Sequence, residues 1–187
     1  MLSKQRVVVV GNGMVGHHFV QQLVSQNQAD EQFEITVLSG EDRLAYDRVQ
    51  LSSFFKGKTA DDLALTCNKT YDDWQVRFHT HSKVVDINRD TQTVTTAKGE
   101  LFEYDKLVLA TGSFPFVPPI PGKDREHCLV YRTINDLHAI KNSAHGSKVG
   151  VVIGGGLLGL EAANALKQLG LHTHVWVYKL MLVAVGY

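Results

Sequence analysis

Apolar residues are spaced unevenly along this chain, and the spacing changes character several times. The run Arg6-Val7-Val8-Val9-Val10 is β-branched and continuously apolar after its first residue, which predicts a strand buried on both faces. A glycine-rich turn follows at Gly11-Asn12-Gly13-Met14-Val15-Gly16. Val15, Phe19, Val20, Leu23 and Val24 then recur at helical spacing and predict one apolar stripe. Polar residues 26–31 close that helix, and Phe33-Glu34-Ile35-Thr36-Val37-Leu38 predicts the next strand. Strand, helix and strand within about 30 residues make a βαβ unit. Such a unit requires a parallel sheet and a right-handed crossover.

Shorter pieces follow. Residues 61–71 are predicted as helical. Over 84–104 the period changes to two. Val85, Ile87 and Val94 are separated by polar residues and Lys98-Gly99 marks a turn, so a small antiparallel meander is expected. Lys106-Leu107-Val108-Leu109-Ala110-Thr111-Gly112 reads as a short apolar strand ending in a turn. All four prolines, Pro115, Pro118, Pro119 and Pro121, fall together and predict an extended connector at a domain boundary. Beyond it, 149–153 predicts a strand and Gly154-Gly155-Gly156-Leu157-Leu158-Gly159 a turn. Residues 157–169 predict a helix closed by Gly170, and 172–178 a further strand. The expected class is α/β. A first dinucleotide-binding domain of the Rossmann kind, with an antiparallel meander, covers 1–118. A connector covers 119–145, and the truncated start of a second Rossmann-like domain covers 146–187.

Composition narrows the chemistry. The chain has 187 residues, 44% hydrophobic and 20% charged, which excludes wholesale disorder. Lys plus Arg and Asp plus Glu each total 19, so there is no electrostatic footprint for nucleic acid or an anionic membrane. The expected partners are small-molecule dinucleotides. Cys67 and Cys128 stand alone, which excludes a disulfide scaffold, a zinc finger or a Cys-ligated iron–sulfur cluster here and fits a cytoplasmic setting. The apolar run 7–10 is shorter than the ~7–15 residues of a signal-peptide core. No stretch reaches the ~18–20 apolar residues of a membrane helix. None of the nine histidines has metal-ligand spacing, so no metal site is expected, and His17-His18 and His79-x-His81 read as surface residues. The absence of a GxSxG elbow leaves serine hydrolysis without support. Phe54, Phe55, Trp74, Phe78, Phe114 and Phe116 read as core.

Two loops carry the candidate chemistry. In Gly11-x-Gly13-x-x-Gly16, the first glycine permits a tight turn, the second lets backbone amides approach a diphosphate, and the third lets the helix pack on the strand. A glycine-rich turn without a ligand is the alternative, and the flanking strand and helix favour the binding loop. A ribose-binding acid belongs at the end of the second strand, where Gly40 is followed by Glu41 and Asp42. Glu41 is the candidate, against a plain solvated turn carboxylate. The second loop is Gly154-x-Gly156-x-x-Gly159, with Glu161 two residues on. Two such sites suggest relay from a nicotinamide through a flavin. Glu161 either faces a cofactor or only complements the helix dipole.

Taken together, these strings resemble the pyridine-nucleotide-linked FAD oxidoreductases. The resemblance is closest to the large subunits of NAD(P)H-dependent assimilatory nitrite reductases. It is carried by the first glycine loop, Ala45-Tyr46-Asp47-Arg48-Val49, Leu51-Ser52-Ser53, Leu109-Ala110-Thr111-Gly112-Ser113, Val130-Tyr131-Arg132-Thr133 and Gly154-Gly155-Gly156-Leu157-Leu158-Gly159-Leu160-Glu161-Ala162-Ala163. It implies FAD contacts from Gly11, Asn12, Gly13, Met14, Val15, Gly16, Glu41, Arg48, Ala110, Thr111 and Gly112. Arg48 would lie along the phosphates, and Thr111 and Gly112 would close over the flavin. For NAD(P)H the resemblance implies Gly154, Gly156, Leu158, Gly159 and Glu161, the last near the nicotinamide.

Residues 43–58 hold no cysteine, which argues against glutathione- or lipoamide-type disulfide chemistry. Rubredoxin- or ferredoxin-type reductases, which also lack the pair, are the second resemblance. The pattern departs at Trp176, where Trp176-Val177-Tyr178 stands in place of an acid. The siroheme and iron–sulfur parts of a nitrite reductase are expected in chain missing here. The reading is a truncated chain, with an FAD-binding remnant without turnover as the alternative. The apolar tail 181–185 is a candidate surface for a partner or self-association.

Overall fold

The computed structural model describes residues 3–26 and 29–177; the apolar tail 181–185 lies outside the described residues. The chain divides into two compact units, one from Met1–Asp47 and Ala64–Ser113, the other from Arg48–Leu63 and Phe114–Tyr187.

The first unit contains β1 (Gln5–Val10), α1 (Met14–Val24), the short α2 (Ala29–Gln32) and β2 (Phe33–Leu38). It continues with α3 (Asn68–Asp73), β3 (Arg77–His79), β4 (Val84–Asn88), β5 (Thr93–Thr96), β6 (Leu101–Glu103) and β7 (Lys106–Leu109). A parallel sheet runs in the order β3-β2-β1-β7. The unbroken apolar run of β1 has a direct cause. Strand side chains alternate, so Val7 and Val9 enter one core and Val8 and Val10 the other. Val20, Ile35, Val37, Tyr71 and Val76 complete the first core, with Phe19, Leu23 and Val24 of α1 packed on it. Leu38, Tyr104 and Val94 of the meander β4-β5-β6 complete the second. Each fully buried valine contributes about 1.5–3 kcal/mol. Register pairs Val10 with both Leu38 and Leu109, so three strands end side by side.

The structure corrects two local expectations and adds a strand. Val15 is 73% exposed, because the first turn of α1 lies at the strand ends, beyond the packed stripe that begins at Phe19. The predicted helix 61–71 is split into a 3₁₀ turn (Asp61–Leu63) and α3. Ala64 bridges Tyr46 between the two pieces, and Leu65 N donates to Ala45 O at 2.9 Å, which holds that backbone extended. The three-residue β3 had no sequence forecast, being too short to show a period.

The second unit contains a 3₁₀ helix (Leu51–Lys56), α4 (Ile134–Ala144), β8 (Val149–Ile153), α5 (Leu157–Gln168) and β9 (His172–Trp176), with β8 and β9 parallel. Leu51, Phe54, Ile134 and Leu137 are buried, and Phe54 meets His138 edge-on at 4.9 Å. Phe114 and Phe116 are not core: they are 81% and 85% exposed. The proline-rich backbone around them forms neither helix nor strand that would turn a ring into a core.

Helix α4 was not foreseen, although Thr133 and Asp136 spell its start. Thr133 Oγ1 accepts from Asp136 N at 3.2 Å and Asp136 Oδ2 accepts from Thr133 N at 2.7 Å, a reciprocal capping box. Replacing Thr133 with alanine is expected to destabilise α4 by about 1 kcal/mol. Hydrogen exchange at the first turn of α4 measures this, and unchanged protection there would contradict the cap.

Candidate functional site

Both glycine loops adopt one geometry. Gly11 has φ +105° and Gly154 φ +128°, backbone that side-chain-bearing residues rarely adopt. Gly11 N donates to Leu38 O at 2.9 Å, and Gly154 N donates to Trp176 O, also at 2.9 Å. The first glycine of each loop is thereby tied to the end of the neighbouring parallel strand. Gly13 and Gly156 are the N-caps of α1 and α5, with φ −76° and −77° and no side-chain cap. The first amides of both helices therefore take no side-chain partner from their N-caps, and the helix dipole favours an anion there. The third glycines are required by contact. A Cβ on Gly16 would fall 2.1 Å from Gly11 O, and one on Gly159 would fall 2.1 Å from Gly154 O.

The first loop has neighbours that the second lacks among the described residues. Ala110 N donates to Val10 O at 2.8 Å, which brings the end of β7 against the loop. A Cβ on Gly11 would lie 2.2 Å from Ala110 O, while no described residue lies within 4 Å of one on Gly154. Thr111 and Gly112 (φ +70°) continue from there and are exposed. The structure thus brings Gly11, Asn12, Gly13, Met14, Val15 and Gly16 together with Ala110, Thr111 and Gly112 at the carboxyl ends of parallel strands. Ligands of open α/β sheets bind at such ends.

Glu41 follows β2 and is half-buried. Its Oε2 accepts from the Tyr46 hydroxyl at 2.8 Å, and its backbone N donates to Ser39 Oγ at 3.2 Å. Gly40, the position where an acid was sought, is exposed. Arg48 belongs to the second unit, where its Nη1 donates to Arg132 O at 3.3 Å. In that unit Glu161 is half-buried on α5, while Leu158 is 55% exposed. Burial first, and the Glu161 charge second, push the Tyr131 hydroxyl up to about 12.

Sequence reading missed a buried polar group behind the first loop. His17 is not a surface residue: it is 6% exposed, and its Nδ1 lies 3.0 Å from the Tyr71 hydroxyl. Tyr71 in turn donates to Asn12 Oδ1 at 2.7 Å. No local signal reveals this, because Tyr71 is 59 residues from Asn12. His18, the next residue of α1, is exposed.

Burial pushes the His17 imidazole below its usual value, with the nearby His18 a smaller cause. The folded chain therefore holds neutral His17, and protons bind the unfolded chain more tightly. The associated stability is complete above about pH 6.5 and is lost as pH falls toward the depressed value. His17→Asn, which keeps an N–H donor without titrating, is expected to lose less stability than the parent between pH 7 and 5. Denaturant titrations across that range test this, and equal losses would contradict it.

Comparison with known proteins agrees with this geometry. The chain is 48% identical over 183 residues to the nitrite reductase (NADH) large subunit of Escherichia coli strain K12, covering 98% of this chain and 22% of that protein. It is 39% identical over 175 residues to the assimilatory nitrate reductase electron transfer subunit of Bacillus subtilis strain 168, covering 93% of this chain and 22% of that one. The chain thus spans about a fifth of the length of these relatives. NADH:rubredoxin oxidoreductase from Clostridium acetobutylicum shares the fold with a TM-score of 0.81 and 26% identity, over 94% of this chain and 45% of that one. The family model of the pyridine nucleotide-disulphide oxidoreductases matches residues 5–183, and the chain belongs to that family.

Proposed function

We propose that this chain is the dinucleotide-binding part of an NAD(P)H-dependent flavoprotein reductase of the nitrite reductase kind. The first loop takes the diphosphate of FAD and the second that of NAD(P)H. The observation that carries the reading is the shared geometry of the loops, in which uncapped helix amides and Cβ-free glycine backbone meet at strand ends. The residues fit the cofactor's diphosphate: the first turn of α1 has no side-chain cap, and Asn12 adds a buried donor, Nδ2, with no partner among the described residues. Bound there, FAD supplies two-electron acceptance from a nicotinamide and onward delivery of electrons.

The protein's own part is to bind and orient. Helix N-termini neutralise phosphate charge. The proposed role of Thr111 and Gly112 is to close over the bound group, and that of Glu41 is to meet the adenosine ribose beside Tyr46. Glu161 is proposed to lie near the nicotinamide. The final acceptor and its siroheme and iron–sulfur centres are assigned to chain outside this sequence. Two exposed thiols, Cys67 and Cys128, suit a reducing cytoplasmic setting.

The test is to add FAD to the purified chain, remove free flavin by filtration, and follow NADH oxidation with ferricyanide as acceptor. Retained flavin and FAD-dependent oxidation support the reading; a colourless protein overturns it. A rubredoxin- or ferredoxin-type reductase is the second reading, favoured by the likeness to NADH:rubredoxin oxidoreductase. Reduction of added rubredoxin by NADH would favour it over the first.

A further inference from the structure

A one-way hydrogen-bond chain lies behind the first glycine loop. The Tyr71 hydroxyl has one proton and gives it to Asn12 Oδ1. Its contact with His17 Nδ1 must then be made by an imidazole N–H. The chain runs from His17 Nδ1–H to Tyr71 and from Tyr71 O–H to Asn12. Its members have little freedom. Tyr71 is 2% exposed, and Trp74 stacks on the His17 ring with centroids 5.8 Å apart.

A carboxamide is planar, so holding Oδ1 also sets Nδ2. Asn12 is 8% exposed, and its Nδ2 is buried without a hydrogen-bond partner among the described residues. A buried donor left unpaired is destabilising, and such groups are rare in folded proteins. This donor belongs to the residue between Gly11 and Gly13, directly before the uncapped N-terminus of an 11-residue helix. The orphan donor and the helix end both call for an anionic oxygen.

We propose that Asn12 Nδ2 donates to the diphosphate of the dinucleotide held by this loop, directly or through one bridging water, and that Tyr71 and His17 are positioning residues that aim it. The inference rests on the FAD reading above and deepens it. The second loop has Gly155 at the matching place, where a Cβ would fall 2.7 Å from the Val177 side chain. The extra donor therefore distinguishes the first loop from the second.

The experiment titrates the ¹⁵N-labelled full chain with FAD. It follows the Asn12 side-chain amide and the His17 ring nitrogens by NMR, and measures FAD affinity in Asn12→Ala, Tyr71→Phe and the double variant. The expected result is a shifted, exchange-protected Asn12 amide on FAD addition and an Nδ1–H tautomer at His17. Asn12→Ala is expected to weaken FAD about 10-fold, as the loss of one hydrogen bond to a charged group would. Tyr71→Phe should weaken it several-fold in the parent and not at all in the Asn12→Ala background. A purely structural Tyr71 would give the same factor in both backgrounds, and that overturns the positioning role.

The NMR measurement on the parent needs no variant to fold. Bound FAD with an unmoved Asn12 amide, or an Nε2–H tautomer at His17, overturns this inference alone. Failure of the parent to retain FAD overturns the flavin reading, and this inference with it.

Discussion

Gly16→Ala is expected to abolish FAD retention and to weaken the first unit by about 1–3 kcal/mol or more, the range for overpacked contacts. The added Cβ would lie 2.1 Å from Gly11 O, 3.1 Å from Gly11 C and 3.3 Å from Ala110 Cβ. The two nearest atoms are backbone atoms, which cannot rotate away as a side-chain tip can. Relief requires α1 to move off β1, and that carries the amides after Gly13 away from the position a diphosphate would take. A loss of at least about 100-fold in affinity, about 2.7 kcal/mol, is the expected scale. Gly40→Ala is the control, since its Cβ would meet Lys83 Cβ at an ordinary 3.5 Å. Flavin fluorescence titration and thermal denaturation measure both variants. A Gly16→Ala protein that binds FAD and melts like the Gly40→Ala protein would refute the close packing of helix on strand.

The second large effect separates the two loops. Gly11→Ala is expected to cost about 2 kcal/mol more than Gly154→Ala. Both substitutions place a side chain in left-handed backbone, which costs about 1–2 kcal/mol. Only Gly11 adds a collision, because Ala110 O would lie 2.2 Å from the new Cβ, whereas among the described residues Gly154 has nothing within 4 Å. The contrast follows from the sheets. Strand β1 lies between β2 and β7, while β8 pairs with β9 alone among the described residues. Hydrogen exchange of β1 amides in one variant and β8 amides in the other measures each cost in its own unit. Equal losses would mean that β7 does not crowd the first loop.

Much of this was legible in advance, for local reasons. Strands β1, β2 and β8 declare themselves through β-branched, apolar runs, and the glycine loops through residues that only a tight, closely packed turn demands. Helix α4 carries two opposed signals: Thr133 and Asp136 mark its start, while the nearby prolines favour an extended connector. Exposure was harder to read. Val15 fits the helical period and is still exposed, because the period reports which face a residue is on and not where the sheet beneath it ends.

Sequence alone determined the βαβ order, both glycine loops and the antiparallel meander, because each depends on backbone preferences and spacing within a few tens of residues. Tertiary structure alone decided that Ala110 crowds Gly11, that His17 is buried, and that Asn12 is held by Tyr71. These contacts join positions 99, 54 and 59 residues apart, and the place of Ala110 is set by the pairing of β1 with β7. No local pattern encodes them, since they exist only once the hydrophobic faces of β1, α1 and α3 have packed together.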